Sequence, residues 1–295
     1  MKERINFLKA EFPRLDWVED LDFSRRATIG CGGKAKLAVR PATTEEWVRL
    51  IDFLEDCSIR YKVLGRTSNV LPADEPSDCV YLLTDRLKGV RVGEKTFAYA
   101  GTTAAEFLRV CKNAGRTGAE FLAGIPCSIG GAAYMNAGAG GRYLNEVVDS
   151  VLYYGQKQLR RLSLEECRYA YKDSVFMGQN GVILGVCFAL KEETPYEAEQ
   201  AQKRRLEERK RLPKGKSMGC IFKNPMGKSA GALIEGAGLK GLSVGGAVVS
   251  EEHANFIINE GGATAEDIKR LISLVKNAVF AQYKVKLCEE IEYLD

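Results

Sequence analysis

The sequence has 295 residues, of which 45% are apolar and 28% charged, and its net charge is +4. That balance argues against a disordered chain and leaves no electrostatic footprint for nucleic acid, although a weakly positive field suits an anionic substrate. Nine cysteines in odd, irregular spacing without a C-x-x-C pair argue against a disulfide framework or a zinc site, and the single histidine, His253, argues further against a metal centre. Reduced thiols, an N-terminus charged every few residues and the lack of a long apolar run lead us to expect a cytoplasmic protein without a leader or a membrane segment.

Residues 2–12 read as an amphipathic helix with Ile5, Leu8 and Phe12 on one face. A glycine-bearing segment leads into a strand around Lys36–Val39. Thr43-Thr-Glu-Glu46 is a capping box that opens a helix to about Asp56. Short apolar strands follow at Tyr61–Leu64 and Val80–Leu83, so the opening third alternates strand and helix. Thr103 and Glu106 start a helix that runs to Ala114 and stops at Gly115. Strands are expected at Val147–Tyr154, Gln158–Ser163 and Val182–Leu190. Glu197–Arg211 alternates opposite charges and reads as a solvated helix rather than a nucleic-acid surface, ended by Pro213. Beyond it we expect a helix at Ser229–Glu235, strands near Gly246–Ser250 and Phe256–Asn259, and a helix from Thr264 to about Tyr283.

The chain contains no G-x-x-x-x-G-K-[ST], so the P-loop fingerprint is absent, and its one G-x-G-x-x-G, Gly236–Gly241, follows an expected helix rather than a strand, so it is not a dinucleotide fingerprint. Instead, small residues concentrate at Gly65–Asn69, Gly124–Ala132 and Asn136–Gly141. Each stretch alone reads as a tight turn. Together they offer exposed backbone amides to a large extended ligand carrying a diphosphate.

Four blocks resemble the UDP-N-acetylenolpyruvoylglucosamine reductases, the MurB family. Leu64–Leu71 (LGRTSNVL) is similar to the family's LGxGSNxL loop, which implies that Gly65, Arg66, Thr67, Ser68 and Asn69 hold FAD. Glu120–Pro126, Gly130-Gly-Ala and Met135–Gly138 resemble its second flavin block. This implies cofactor contacts from Gly124, Ile125, Pro126, Ser128, Gly130, Gly131, Asn136, Ala137 and Gly138. Tyr171–Phe176 (YKDSVF) resembles YRDSxF. Gly219–Pro225 (GCIFKNP), Ala230–Gly241, Gly245-Gly-Ala, Ser250-x-x-His-Ala-Asn-Phe256 and Leu287–Ile291 resemble the substrate domain. The blocks are collinear over nearly the whole chain, and its length resembles the shorter, type II branch.

The resemblance implies an α+β fold: a PCMH-type FAD-binding region of two subdomains, 1–84 and 85–195, then a C-terminal α+β substrate-binding domain, 196–295. It implies FAD and NADPH as cofactors, a UDP-sugar enolpyruvyl ether as substrate, a place in peptidoglycan synthesis, and no bound metal. A monomer without membrane or nucleic-acid partners is expected. In the implied reaction, hydride adds to the β-carbon of the enolpyruvyl group, charge builds towards its carboxylate, and the α-carbon takes a proton. The family's proton-donating serine falls at Cys220, and a thiol, with a reference pKa of ~8.5, releases its proton more readily than a hydroxyl does. Glu290 falls at the catalytic glutamate, with Glu289 facing the other way in a strand. Lys172 replaces the enolate-stabilising arginine, keeping the charge but not the planar fork. Tyr171, Lys223, Asn224 and His253 are the expected substrate contacts.

Thr67 and Cys127 replace glycines of the family pattern, each adding a side chain where the family's glycine permits left-handed backbone or close approach. With Lys172, they keep two alternatives open: a degenerate paralogue that binds a cell-wall precursor without turnover, and a same-fold flavoprotein with another substrate.

Overall fold

The computed structural model describes residues 2–294. The chain folds into two compact units that are not contiguous in sequence. The first takes the residues up to Glu19, Leu37–Arg66 and Cys79–Lys210, and the second takes Asp20–Lys36, Thr67–Asp78 and the chain from Arg211 onwards.

A four-stranded sheet, most of whose residues belong to the first unit, has the spatial order Asp16–Asp22, Lys34–Arg40, Ser77–Leu83, Tyr61–Leu64, with the last two parallel. The helix Thr44–Asp56 starts at the Thr43/Glu46 capping box. It buries Trp47, Leu50, Ile51 and Leu54, the i, i+3, i+4, i+7 stripe of an amphipathic helix. A five-stranded antiparallel sheet runs Gln158–Ser163, Val148–Gly155, Val182–Phe188, Thr96–Tyr99, Val90–Val92. Its middle strand, VILGVCF, is buried at every position, which is why it reads as a continuous apolar run without alternation. The helix Ala104–Asn113 packs on Pro195–Arg209, so that charged helix belongs to this unit rather than to the C-terminal one. A short helix, Ile129–Tyr134, packs on the middle strand in the stretch that composition alone reads as loop.

In the second unit, the helix Ala265–Tyr283 buries Ile268, Leu271, Ile272, Val275 and Val279. Three antiparallel strands, Ser243–Val244, Ala247–Val249 and Ile257–Asn259, and the short helix Ala230–Gly236 complete its frame. Specific bonds tie the distant segments in. Val70–Pro72 pairs in parallel with Glu292–Leu294. Asp74 accepts from the Ala265 and Glu266 amides at 2.9 and 3.1 Å, closing the start of the long helix. The buried Asn259 amide donates to Ile29 O at 2.9 Å. Among the described residues, no helix is long and apolar enough to cross a membrane, and all nine cysteines are free thiols.

Candidate active site

The first glycine loop leaves the strand Tyr61–Leu64 at Gly65. A Cβ on Gly65 would collide with Ser128 Oγ, so glycine is what lets this loop touch the second glycine stretch. Ser128 is buried and caps the helix Ile129–Tyr134 by accepting from Gly131 N at 3.3 Å. Gly130 lies against Ala100, where a Cβ would sit 2.7 Å from the alanine methyl. Gly124 has φ +76° and lies under Arg209, while Ile125 and Pro126 carry the chain on to Cys127.

Of the two residues that replace glycines, one sits in left-handed backbone and one does not. Thr67 has φ +52°, which is unusual for a β-branched residue. It is 4% exposed, and its hydroxyl donates to Arg26 O at 3.0 Å. We expect Thr67→Gly to be more stable than Thr67→Ala by about 1 kcal/mol, because both lose the hydroxyl but only glycine relieves the left-handed strain. Thermal melts of the two variants check this, and an alanine variant at least as stable as the glycine one would remove the strain argument. Cys127 has an ordinary negative φ and packs in the apolar core. Burial pushes its thiol up to about 12, against the opposing positive charge of Arg209 and Arg66.

Tyr171 and Lys172 form the middle of a turn closed by the pairing of Ala170 with Asp173. Lys172 has φ +53°, and the Tyr143 ring meets Tyr171 edge-on at 5.9 Å. Asn136 is buried beneath this turn; its amide donates to Ala170 O and accepts from Asn145 N. Ala137 donates back to Ala132 O at 2.8 Å, and Gly138 pairs with Tyr143.

The second unit gathers the remaining residues. Gly219, at φ +78°, turns the chain into Cys220, which is half-buried and bridges Phe256. Asn255 holds the next residues from both sides. Its amide oxygen accepts from Phe222 N at 2.9 Å, its amide nitrogen donates to Phe222 O at 2.8 Å, and its backbone carbonyl accepts from Ile221 N at 2.8 Å. Glu290 N donates to Ile221 O, and Lys223 N donates to Cys288 O, both at 2.8 Å. The Cys220 segment and the Glu290 segment therefore run side by side. Glu289 accepts from Lys276 at 2.7 Å and from Tyr293 OH at 2.8 Å, which leaves Glu290 to face elsewhere.

The flavin-loop residues Thr67–Asn69 join the same network. Asn69 Nδ2 donates to Glu290 O at 3.0 Å and Asn69 O accepts from Glu292 N at 2.9 Å. The Thr28 hydroxyl lies between Ser68 O and Ser217 O, closer to the latter at 2.6 Å. Asn224 Oδ1 accepts from Ala230 N at 2.9 Å, at the start of the helix Ala230–Gly236. His253 Nδ1 accepts from Asn255 N at 3.2 Å, and burial holds the ring below its ordinary pKa, so it is a neutral imidazole built into the turn.

Asn255 lies within the Ser250–Phe256 motif, whose pattern assigns it no role. The available signal was a polar residue set among apolar neighbours, Ala254 and Phe256, which marks a buried side chain with fixed partners.

Residues 35–155 match a family described as FAD binding domain, and residues 210–294 match the UDP-N-acetylenolpyruvoylglucosamine reductase C-terminal domain. A UDP-N-acetylenolpyruvoylglucosamine reductase of Fervidobacterium nodosum is 38% identical over 269 residues, spanning 88% of this chain and 86% of the relative. The protein of the same name from Lactiplantibacillus plantarum is 34% identical and spans 97% of this chain and 96% of its own. The crystal structure of UDP-N-acetylenolpyruvylglucosamine reductase (MurB) from Thermus caldophilus superposes with a TM-score of 0.81 at 33% identity, covering 96% of this chain and 99% of that one. The chain belongs to the UDP-N-acetylenolpyruvoylglucosamine reductase family.

Proposed function

We propose that this protein is an NADPH-dependent flavoenzyme that reduces the enolpyruvyl ether of UDP-N-acetylglucosamine enolpyruvate to UDP-N-acetylmuramate in peptidoglycan synthesis. The observation that carries the reading is the network of the second unit. There the Asn69 loop, the Cys220 segment and the Glu290 segment are bonded to one another.

The donor set fits FAD. No carboxylate occurs in Gly65–Asn69 or in Ala123–Gly141, while Arg66 lies within the first loop and Arg209 against the second stretch. Gly65, which admits no Cβ, brings the two stretches together next to the capped start of a helix, an amide-rich surface suited to a diphosphate. The assigned cofactor residues are Gly65–Asn69, Gly124–Pro126, Ser128, Gly130, Gly131 and Asn136–Gly138. Bound there, FAD would supply the redox chemistry that links NADPH oxidation to reduction of the enolpyruvyl double bond.

The chain's own groups supply the rest. Cys220 gives its proton to the α-carbon, so the C=C bond gains one hydride and one proton while NADPH becomes NADP+. The Lys172 ammonium offsets the negative charge growing towards the substrate carboxylate. Glu290 is the third catalytic group. Lys223 and the amide nitrogen of Asn224 offer donors to the substrate's anionic groups, with Tyr171 and the Nε2 side of His253 as further contacts. We assign the two flavin subdomains to the first unit, which keeps the helix Pro195–Arg209, and the substrate domain to the C-terminal stretch from Arg211 onwards. The protein works as a cytoplasmic monomer.

The test is direct. The flavin is reduced with NADPH without oxygen, UDP-N-acetylglucosamine enolpyruvate is added, and visible absorbance is followed. Prompt reoxidation is expected; a flavin that stays reduced rejects this substrate, and a purified protein without flavin rejects the enzyme reading.

A further inference from the structure

Lys172 lies in a backbone conformation that glycine normally fills. At φ +53° a lysine is strained by about 1–2 kcal/mol, and such strain persists only where the surroundings over-determine it. Here both ends of the Ala170–Asp173 turn are tied to one place. Asn136, 3% exposed and itself at φ +43°, donates through Nδ2 to Ala170 O at 2.9 Å. Its Oδ1 accepts from Asn145 N at 3.0 Å. On the far side of the turn, the buried Ser174 hydroxyl donates to Tyr134 O at 2.6 Å. Tyr134 and Asn136 both lie at the end of the helix Ile129–Tyr134, within the small-residue stretch. Tyr143, paired with Gly138, packs its ring on Tyr171 and closes the turn's open side.

We infer that Asn136 is a positioning residue for Lys172. Its amide is bonded at both ends within the protein, to the carbonyl that opens the turn and to the Asn145 amide that backs it. Losing the Ala170 bond lets the turn relax towards ordinary backbone and swings the lysine stem away from its native direction. The role of Asn136 is then to aim Lys172, over and above any contact with the cofactor. This inference rests on the reading of Lys172 as the group that offsets charge on the substrate.

Three variants test it: Asn136→Ala, Asn136→Asp and Lys172→Ala. Asn136→Asp keeps the acceptor for Asn145 N and removes the donor to Ala170 O, so it tests that one bond even if the alanine variant folds poorly. The measurements are the FAD dissociation constant, from flavin fluorescence, and the separate rates of flavin reduction by NADPH and reoxidation by substrate. Both Asn136 variants are expected to slow reoxidation about tenfold more than reduction, because a misplaced charge penalises only the step that uses it. Because Asn136 is also an assigned cofactor residue, both rates are compared at saturating FAD, so that any loss of affinity is read apart from the aiming of Lys172. In the Lys172→Ala background, Asn136→Ala should slow reoxidation no further, as two residues acting through one group are not additive. Equal losses in both rates at saturating FAD, or full additivity with Lys172→Ala, overturns the inference. Should Lys172→Ala alone reoxidise at the wild-type rate, the underlying reading of Lys172 fails first, and that result is separate from the Asn136 variants.

Discussion

Cys220→Ala is expected to slow reoxidation of the reduced flavin by substrate about 10²–10⁴-fold, the usual contribution of a positioned general acid, while NADPH still reduces the flavin. Hydride addition alone leaves a carbanion-like α-carbon, and the step is complete only when a proton reaches it. Cys220 is a half-buried thiol beside the Glu290 segment, entered through the left-handed Gly219 and bridged to Phe256. Both neighbours fix its backbone, so truncating the thiol removes the acid without moving the chain. Cys220→Ser keeps a hydrogen-bonding proton at the same atom position and restores the family residue, so it is expected to remain within about tenfold of wild type. Stopped-flow measurement of the two half-reactions checks this. An alanine variant that turns over normally, or a serine variant as slow as alanine, sinks the assignment of Cys220 as donor.

How far the sequence reveals the fold depends on whether the signal is local. The helix Thr44–Asp56 combines a reciprocal cap with a clean apolar stripe, and its observed ends match those expected. The middle strand Val182–Phe188 is legible for the same reason, since an unbroken apolar run of that length needs burial on both faces. The strand Asp16–Asp22 is not legible: DWVEDLD carries four acids, is mostly half-buried or exposed, and sits at a sheet edge where alternation is weak. The helix Ile129–Tyr134 is hidden by its glycines, and only the Ser128 cap and packing on a buried strand reveal it. Least legible is the recruitment of 20–36 and 67–78 into the second unit. It depends on Asn259 reaching Ile29 O and on Asp74 closing the helix Ala265–Tyr283, contacts separated by about 190 residues or more in sequence.

The site divides in the same way. Motif blocks located the segments, and the family expectation of a flavin-binding region followed by a substrate domain is met. Motifs could not tell which side chains face a ligand and which hold the frame. Thr67 and Cys127 look equivalent as replacements of glycine, yet only Thr67 has a positive φ. Asn69, Asn136 and Asn255 each bond the backbone of a segment that carries a proposed catalytic residue. An asparagine amide suits this work because it offers one acceptor and two donors without charge, so it can bridge two strands in a place where an ionised group would be expelled.

Asn255→Ala is expected to lower stability by about 2–6 kcal/mol, the largest loss we anticipate from a single polar residue here. The side chain satisfies both the N–H and the C=O of Phe222, at 2.9 and 2.8 Å, and Phe222 is 2% exposed. Removal strands one donor and one acceptor where the neighbouring Ile221 is fully buried, so water has no easy route to replace the amide. Each stranded group costs about 1–3 kcal/mol, which sets the expected range. Asn255→Asp provides a sharper test through pH. Ionised, it still accepts from Phe222 N but turns a negative oxygen towards Phe222 O; protonated, it can donate there as the amide does. Burial and that carbonyl both raise its folded pKa above the unfolded value of ~3.9. With a raised folded pKa, the variant is closest to wild type below about pH 4 and loses stability as pH rises from there towards the folded pKa. Denaturant unfolding followed by circular dichroism between pH 3.5 and 7.5 checks both variants, with wild type as the reference for the background slope. A pH-independent gap between Asn255→Asp and wild type, or an alanine variant as stable as wild type, would show that the Phe222 backbone finds its partners elsewhere.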